Sequence, residues 1–343
     1  MVSELTRQQF RRFRALRRAW ISLWILVGAF GLSLISEQIA NDHPLLLRYK
    51  GSWYFPTLKF YSAQTFGGAY RTETDYLALE KEPLFHENGG WMLFPPIKAN
   101  PYRSFLEEPG HPPHAPSARH WLGTDDSARD VLARLLYGLR SSVSFALILA
   151  CIGTVLGVIA GGIQGYAGGI TDLTGQRLIE VWSALPFLYV VIPVGAIYGQ
   201  KFGALLFVFS LFQWIGLSFY IRGEFLRLKN QTFAQAARAL GASHTRIIFR
   251  HILPNAINPV VTLFPFALVG GISSLTALDY LGFGLPPPTP SWGEMLQQGL
   301  KYLDAPWLAI SSVTALFATL MLASFIGEGA RAAFDPKSTS TVR

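Results

Sequence analysis

Arg238, Arg246 and Arg250 crowd onto one polar stretch, Thr232 to Asn255, set between two long apolar runs. Such a cluster can present a face to a soluble acidic partner, or it can be a solvated basic connector held on one side of a membrane by its charge. Two other groups of residues invite chemistry. His111, His114 and His120 are close enough in sequence to suggest a metal. However, Pro112 and Pro113 forbid a helical pair, and no acidic or cysteine ligand keeps zinc-like spacing, so no metal is expected. Glu180, Asp279 and Glu328 lie at or near the ends of apolar runs. A carboxylate inside a membrane is a functional candidate, but at its edge hydration or a neighbouring Arg177 or Arg331 suffices, and a structural role is expected. No Ser–His–Asp set, paired carboxylates or Gly-x-Ser-x-Gly turn stands out, so no catalytic residue is expected. No Gly-x-x-x-x-Gly-Lys-Ser/Thr loop occurs, so the chain cannot hydrolyse ATP in that manner.

The elements that must carry the arginines can be read locally. Thr232 and Gln235 have capping-box spacing. Ala234, Ala236, Ala237, Ala239 and Leu240 favour a short helix ending near Leu240. Gly241 stands where a helix needs a left-handed residue to stop, and Ser243 suits the N-cap of the next one. That second helix should run from His244 to about Leu253 and end against Pro254. A compact helix–turn–helix is expected, with small alanines on one side.

Half of the 343 residues are apolar. Apolar windows fall near Ala19–Ile35, Val143–Ile163, Val181–Tyr198, Gly203–Ile221, Ile257–Leu278 and Ala305–Ile326. Each is long enough to cross a hydrocarbon core of roughly 30 Å. Pro186 and Pro193 interrupt the third, which a buried span tolerates. Arg7, Arg11, Arg12, Arg14, Arg17 and Arg18 precede the first window and should keep the N-terminus cytoplasmic. Alternation then places Arg222, Arg227, Lys229 and the Thr232–Asn255 stretch on the same side. The net charge of +8 therefore reflects cytoplasmic flanks and not nucleic-acid binding. With Phe10, Phe13 and Leu16 between them, the N-terminal arginines also suit an amphipathic surface helix. Ser36-Glu37-Gln38 offers no small-residue cleavage site, so the first span should be retained as an anchor. Cys151 is the only cysteine, so no intrachain disulfide exists.

Between the first two spans lie mixed-polarity residues rich in aromatics, among them Trp53, Tyr54, Phe55, Phe60, Tyr61, Phe66 and Tyr70. They suggest a packed outward subdomain, followed by a proline-rich connector from Pro95 to Pro116. Trp121–Arg140 reads as a turn and an amphipathic helix entering the second span. Within that span Gly153, Gly157, Gly161 and Gly165 form a smooth stripe suited to close helix packing. After the fifth span, a Ser291–Glu294 capping box predicts a short outward helix. There is no repeat at solenoid spacing and no inverted duplication.

Several of these segments resemble one family, the permeases of binding-protein-dependent ABC importers of the dipeptide/oligopeptide type. Gln235, Ala236, Ala237, Gly241, Leu253 and Pro254 stand at the places of that family's EAA loop, and the ending RHILPN, Arg250 through His251 to Asn255, is similar to its peptide branch. Gln235 replaces the family's Glu. Leu122 to Asp130 is similar to the LGTD-x-x-GRD signature, with Ala128 replacing a Gly, and Ser33–Pro56 resembles the Yej branch. The closing Gly327–Pro336 is also similar. The resemblance extends over nearly the whole chain. It implies an all-α membrane protein of six transmembrane helices with a periplasmic insertion between the first two. Residues 1–18 would form a basic N-terminus, 19–36 the first helix, 37–138 the insertion, 139–332 the core with a coupling loop at about 222–256, and 333–343 a tail, both termini being cytoplasmic. In that family the loop docks on an ATPase subunit, which implies contacts from Gln235, Ala236, Ala237, Arg238, Gly241, Arg246, Arg250, His251, Leu253 and Pro254.

The expected function is thus the permease subunit of an ATP-driven peptide importer in a bacterial inner membrane. Its partners would be a homologous permease, two ATPase subunits and a periplasmic peptide-binding protein. This chain would bind no cofactor, ATP and magnesium being used by the ATPase. The alternatives are a stand-alone secondary transporter, which predicts midplane acids and broken inverted repeats, and an intramembrane hydrolase, which needs a catalytic pair inside the bilayer.

Overall fold

The computed structural model describes residues 4–334. Among the described residues, five helices are long and apolar enough to cross a membrane: Arg17–Leu34, Val131–Ala167, Phe202–Leu228, Asn258–Tyr280 and Pro306–Phe334. Gly169–Ser183 and Phe187–Tyr198 bend by 69° at the break between them, and as one broken span they bring the number to six. The break falls at Pro186, whose ring disfavours helix at the residue before it. Large apolar side chains such as Ile21, Trp24, Leu178, Ile197 and Phe317 remain more than half exposed on these helices, except for lipid. The second span is much longer than its apolar window. At 37 residues it extends about 55 Å, nearly twice a hydrocarbon core.

The chain divides into two compact units. The first comprises Met1–Gly28, Ser142–Pro286 and Leu316–Arg343. Its main apolar cluster holds Phe145, Leu149, Phe209 and Leu275. The N-terminal helix Glu4–Ala15 belongs to it, with Phe13 buried among Ala19, Ala330 and Ala333 while Phe10 stays exposed. The glycine stripe lies against Phe202–Leu228. A Cβ on Gly157 would meet Leu217 Cβ and Trp214 O at 3.0 Å, and one on Gly153 would meet Gln213 Cγ at 2.8 Å. At Gly165 it would meet Phe225 Cβ at 2.6 Å, and at Gly161 Arg222 N at 2.9 Å. Two backbones approach here as only glycine permits.

The second unit comprises Ala29–Ser141 and Pro287–Ala315. It contains a feature outside the helical reading, a three-stranded antiparallel sheet ordered β2-β1-β3, from β1 Leu46–Tyr49, β2 Ser52–Tyr54 and β3 Trp91–Leu93. Leu47 pairs with Tyr54 on one side and Met92 on the other. The aromatics pack as a core: Tyr49 stacks on Phe85, and Phe66 meets Tyr49, Tyr54, Tyr61 and Tyr76 edge-on. Ser291 caps Trp292–Lys301 by accepting from Gly293 N and Glu294 N.

Candidate functional site

The polar stretch forms the helix Thr232–Ala239, a turn, the helix His244–Ile247, a π-turn Ile248–Ile252 and the helix Leu253–Ala256. Gly241 has φ +78°, the left-handed conformation a helix stop requires. Ala242 N donates to Ala237 O at 3.0 Å across it, and Ser243 Oγ accepts from Arg246 N at 3.3 Å. Two local expectations differ from the structure. The N-cap is Gln231 and not Thr232, and the Gln235 amide reaches back to Asn230 O at 3.1 Å, so no Thr232–Gln235 capping box forms. Nor does the chain stop at Pro254. The π-turn sends Leu253 N to Ile248 O, and Pro254, lacking an N–H, opens the next turn at a position where none is needed.

This element is fixed from beneath. Ala237, Ile247, Ile252 and Ala256 share a buried cluster with Ile221, Phe225 and Leu228 of the Phe202–Leu228 span. Losing Phe225 from it would cost about 3–5 kcal/mol. Polar ties add to the attachment. Tyr166 Oη lies 2.6 Å from His244 Nδ1, and Lys229 Nζ donates to Tyr166 O at 3.2 Å. Arg222 makes a two-pronged pair with Asp172 at 2.5 and 2.6 Å, a geometry that also fixes direction.

Gln235, Ala236, Arg238, Gly241, Arg246, Arg250 and Pro254 face outward; Ala237 is buried, while His251 and Leu253 are half-buried. Among the exposed groups stand two that the sequence reading passed over. Leu240 is 88% exposed beside the turn and Phe249 is 65% exposed. Apolar tips raised on a basic, rigidly seated element are what a protein partner can cover.

A second constellation sits in the other unit. Asp125, fully buried, accepts Ser127 N and Arg129 N at 2.9 Å and Arg129 Nε at 2.7 Å. Glu294 accepts Arg129 Nη2 at 3.0 Å and Arg134 Nη2 at 2.5 Å, and Arg134 Nε lies 3.3 Å from Asp125 Oδ2. Two acids thus balance two buried guanidiniums. Burial opposes the charge on Arg129, but Asp125 and Glu294 outweigh it and hold its pKa above the ordinary value. Ala128, buried in the same loop, sits at φ +58°, in the conformation the family's glycine adopts freely. His120 pairs with Asp130 at 2.8 Å and Glu108 at 3.2 Å. Of the span-end acids, Glu180 pairs with Arg177 at 2.6 Å and Asp279 accepts Leu285 N at 2.7 Å. Glu328 is exposed, and Arg331 lies over the Phe266 ring. The Asp125–Arg129 spacing was visible in sequence; nothing local announced Glu294 as their partner.

Five or six apolar spans among the described residues, carrying an exposed and firmly seated polar element, define a multi-pass membrane protein with a surface for a soluble partner. Comparison with known proteins makes the class specific. The family model of the binding-protein-dependent transport system inner membrane component matches residues 153–340. The chain is 48% identical over 340 residues to the inner membrane ABC transporter permease protein YejE of Escherichia coli (strain K12), covering 98% of each. It is 42% identical to the peptidoglycan transport system permease protein YejE of Agrobacterium fabrum, over 98% of this chain and 94% of that one. It is 37% identical to the oligopeptide transport system permease protein OppC of Haemophilus influenzae, over 64% and 70%. An inward-facing structure of the MetNI methionine ABC transporter overlaps 59% of this chain and 97% of its own at 17% identity, with a TM-score of 0.48. The chain belongs to the family of binding-protein-dependent transport system inner membrane components. It is a multi-pass permease of the inner membrane and a non-catalytic subunit, the ATP being hydrolysed by a separate ATPase.

Proposed function

We propose that this permease carries short peptides, or the peptide parts of larger molecules, and that the Thr232–Ala256 element is where the ATPase drives it. The cargo reading rests on two relatives: the full-length Agrobacterium fabrum permease, whose name specifies peptidoglycan, and the Haemophilus influenzae permease, matched over 64% of this chain, whose name specifies oligopeptide. The coupling reading rests chiefly on one observation: Leu240 stands 88% exposed between Arg238 and Arg246 on an element whose underside is buried against a span. A homologous permease, two ATPase subunits and an external peptide-binding protein complete the assembly. In this reading the N-terminus, the Thr232–Ala256 element and the C-terminal end of the last helix are cytoplasmic and the 37–138 insertion lies outside, which the arginines before the first span support. Most of the 333–343 tail lies outside the described residues.

Because a ligand moves an equilibrium only through differential contact, the ATPase must hold this element differently in its two states. The test is co-purification of tagged permease with its ATPase in mild detergent. Arg246→Glu and Leu240→Asp should each weaken that association. Retention of the ATPase by both variants at parental levels refutes the docking surface, as does cargo accumulation in vesicles given the permease alone and no nucleotide.

A further inference from the structure

The second unit holds a polar cavity of about 420 Å³ that the coupling reading does not use. Its charged lining is Glu37, Glu73, Arg140 and His43, with Tyr102 at its edge. Each charge is held in place. Arg140 Nη1 donates to Glu37 at 2.7 Å and its guanidinium lies 4.8 Å over the Tyr137 ring. His43 Nε2 lies 3.0 Å from Glu73 Oε1, while its Nδ1 lies 3.0 Å from Asp42 Oδ1. Behind it Arg103 pairs with Asp42 and Asp75.

Each of these pairs leaves an edge unused. Among the described residues, Glu73 Oε2 and the second terminal nitrogen of Arg140 make no hydrogen bond. Glu73 is 59% exposed and Arg140 is 30% exposed, so a solute can reach both. A purely cationic solute would meet Arg140 and His43, and a purely anionic one would meet Glu37 and Glu73, so single-sign ligands are repelled by half of the lining. A molecule carrying both charges a few bonds apart satisfies both halves. The volume falls within the range of small-ligand sites and admits a few residues of peptide. The lining is mainly polar, so such a ligand would be gripped by its ends and backbone with little regard to its side chains.

We propose that this cavity is a binding site for short zwitterionic peptides, with the free ammonium group at Glu73 and the free carboxylate at Arg140. It rests on the peptide reading of the cargo and adds a place where the permease itself holds it, before the apolar window Val143–Ile163 of the second span begins. The experiment is calorimetric titration of the full chain in nanodiscs, without ATPase or binding protein, using trialanine, N-acetyl-trialanine and trialanine amide. Trialanine should bind saturably. Glu73→Gln and Arg140→Gln should each weaken it by roughly tenfold, one charge-assisted hydrogen bond being worth that much. Acetylation should abolish the effect of Glu73→Gln, amidation that of Arg140→Gln, and Arg140→Lys should restore part of the affinity. Absence of saturable binding, or capped peptides binding as tightly as the free one, overturns the site. ATP-driven trialanine uptake by the assembled transporter separates the two readings. Uptake without binding by the isolated permease overturns the cavity alone; binding without ATP-dependent uptake overturns the transport reading alone.

Discussion

Replacing Gly241 tests the coupling proposal most directly, because the structure separates backbone strain from steric clash there. Gly241 sits at φ +78°, and a Cβ built on it finds no atom within 4 Å. A side chain therefore fits, and what it costs is the left-handed conformation itself, about 1–2 kcal/mol for an ordinary residue. A β-branched residue lies at the upper end or beyond. At about 2 kcal/mol the native turn loses roughly thirtyfold in population against alternatives that swing His244–Ile247 away from Thr232–Ala239. Asn tolerates this conformation far better than Val. The variants Gly241→Asn, Gly241→Ala and Gly241→Val should therefore retain uptake in that order, the last losing most of it. Membrane insertion should be unaffected in all three, since the strain is confined to one exposed turn. In proteoliposomes containing the complete transporter, ATP hydrolysis and peptide uptake are measured together, and the Val variant should hydrolyse ATP with little uptake. Normal uptake by the Val variant, or equal failure of the Asn and Val variants, refutes the reasoning.

Three further outcomes follow from the second unit. Ala128→Gly relieves a left-handed alanine at φ +58°; after subtracting the entropy that glycine adds to the unfolded chain, it should stabilise by about 0.5–1 kcal/mol, read as a higher thermal midpoint in detergent. Glu294→Gln leaves Arg129 and Arg134, 6% and 0% exposed, with Asp125 as their remaining acid among the ion pairs here; it should cost about 3–5 kcal/mol, and an unchanged midpoint would show the network to be idle. His43 has its pKa raised above the ordinary histidine value, first by its hydrogen bond to Asp42, against the opposing effect of burial and with Glu73 helping. Its contribution to stability is fully present below about pH 6.5 and is lost as pH rises through the raised value. Asp42 behaves oppositely: burial pushes its pKa up, but His43 and Arg103 outweigh that and hold it low, so its contribution is lost only on strong acidification. Tryptophan fluorescence during urea unfolding should show the unit weakening from mildly acidic to alkaline pH, and His43→Gln should flatten that slope.

How much was legible in the sequence depended on how local the cause was. The spans were legible because a run of apolar residues suffices to specify them. The Gly241 stop and the Ser243 cap were legible because each needs only its own turn. The Thr232–Gln235 capping box does not form, because the N-cap falls on Gln231 without a side-chain cap and the Gln235 amide reaches Asn230 O instead. The π-turn was missed because Pro254 reads locally as a stop; it proves to open a short helix instead. The exposure of Leu240 was hidden for a different reason. As a residue type it favours helix, and only the direction of the turn decides whether it is buried or raised to solvent. The partner of Arg129 and Arg134 was beyond reach altogether, lying in a helix more than 150 positions away.

The same geometry gives the proposed docking surface a route to several spans. Motion entering at Leu240 and Arg246 is borne first by Ile247, Ile252 and Ala256, which lie in the cluster with Phe225 and Leu228, so the Phe202–Leu228 span moves with the element or the cluster opens. Opening it exposes apolar surface at roughly 25 cal/mol per Å², which makes rigid-body motion the cheaper course. The glycine stripe then carries displacement to Val131–Ala167, since from Gly157 to Gly165 it lies against backbone atoms of Phe202–Leu228, with little flexible side chain between to absorb it. The Arg222–Asp172 pair ties in the broken span, holding direction through two parallel hydrogen bonds. Coupling along this route has a distinct signature: a large residue at Gly161, which loosens the stripe, should spare ATPase docking while impairing uptake, whereas Arg246→Glu should impair both.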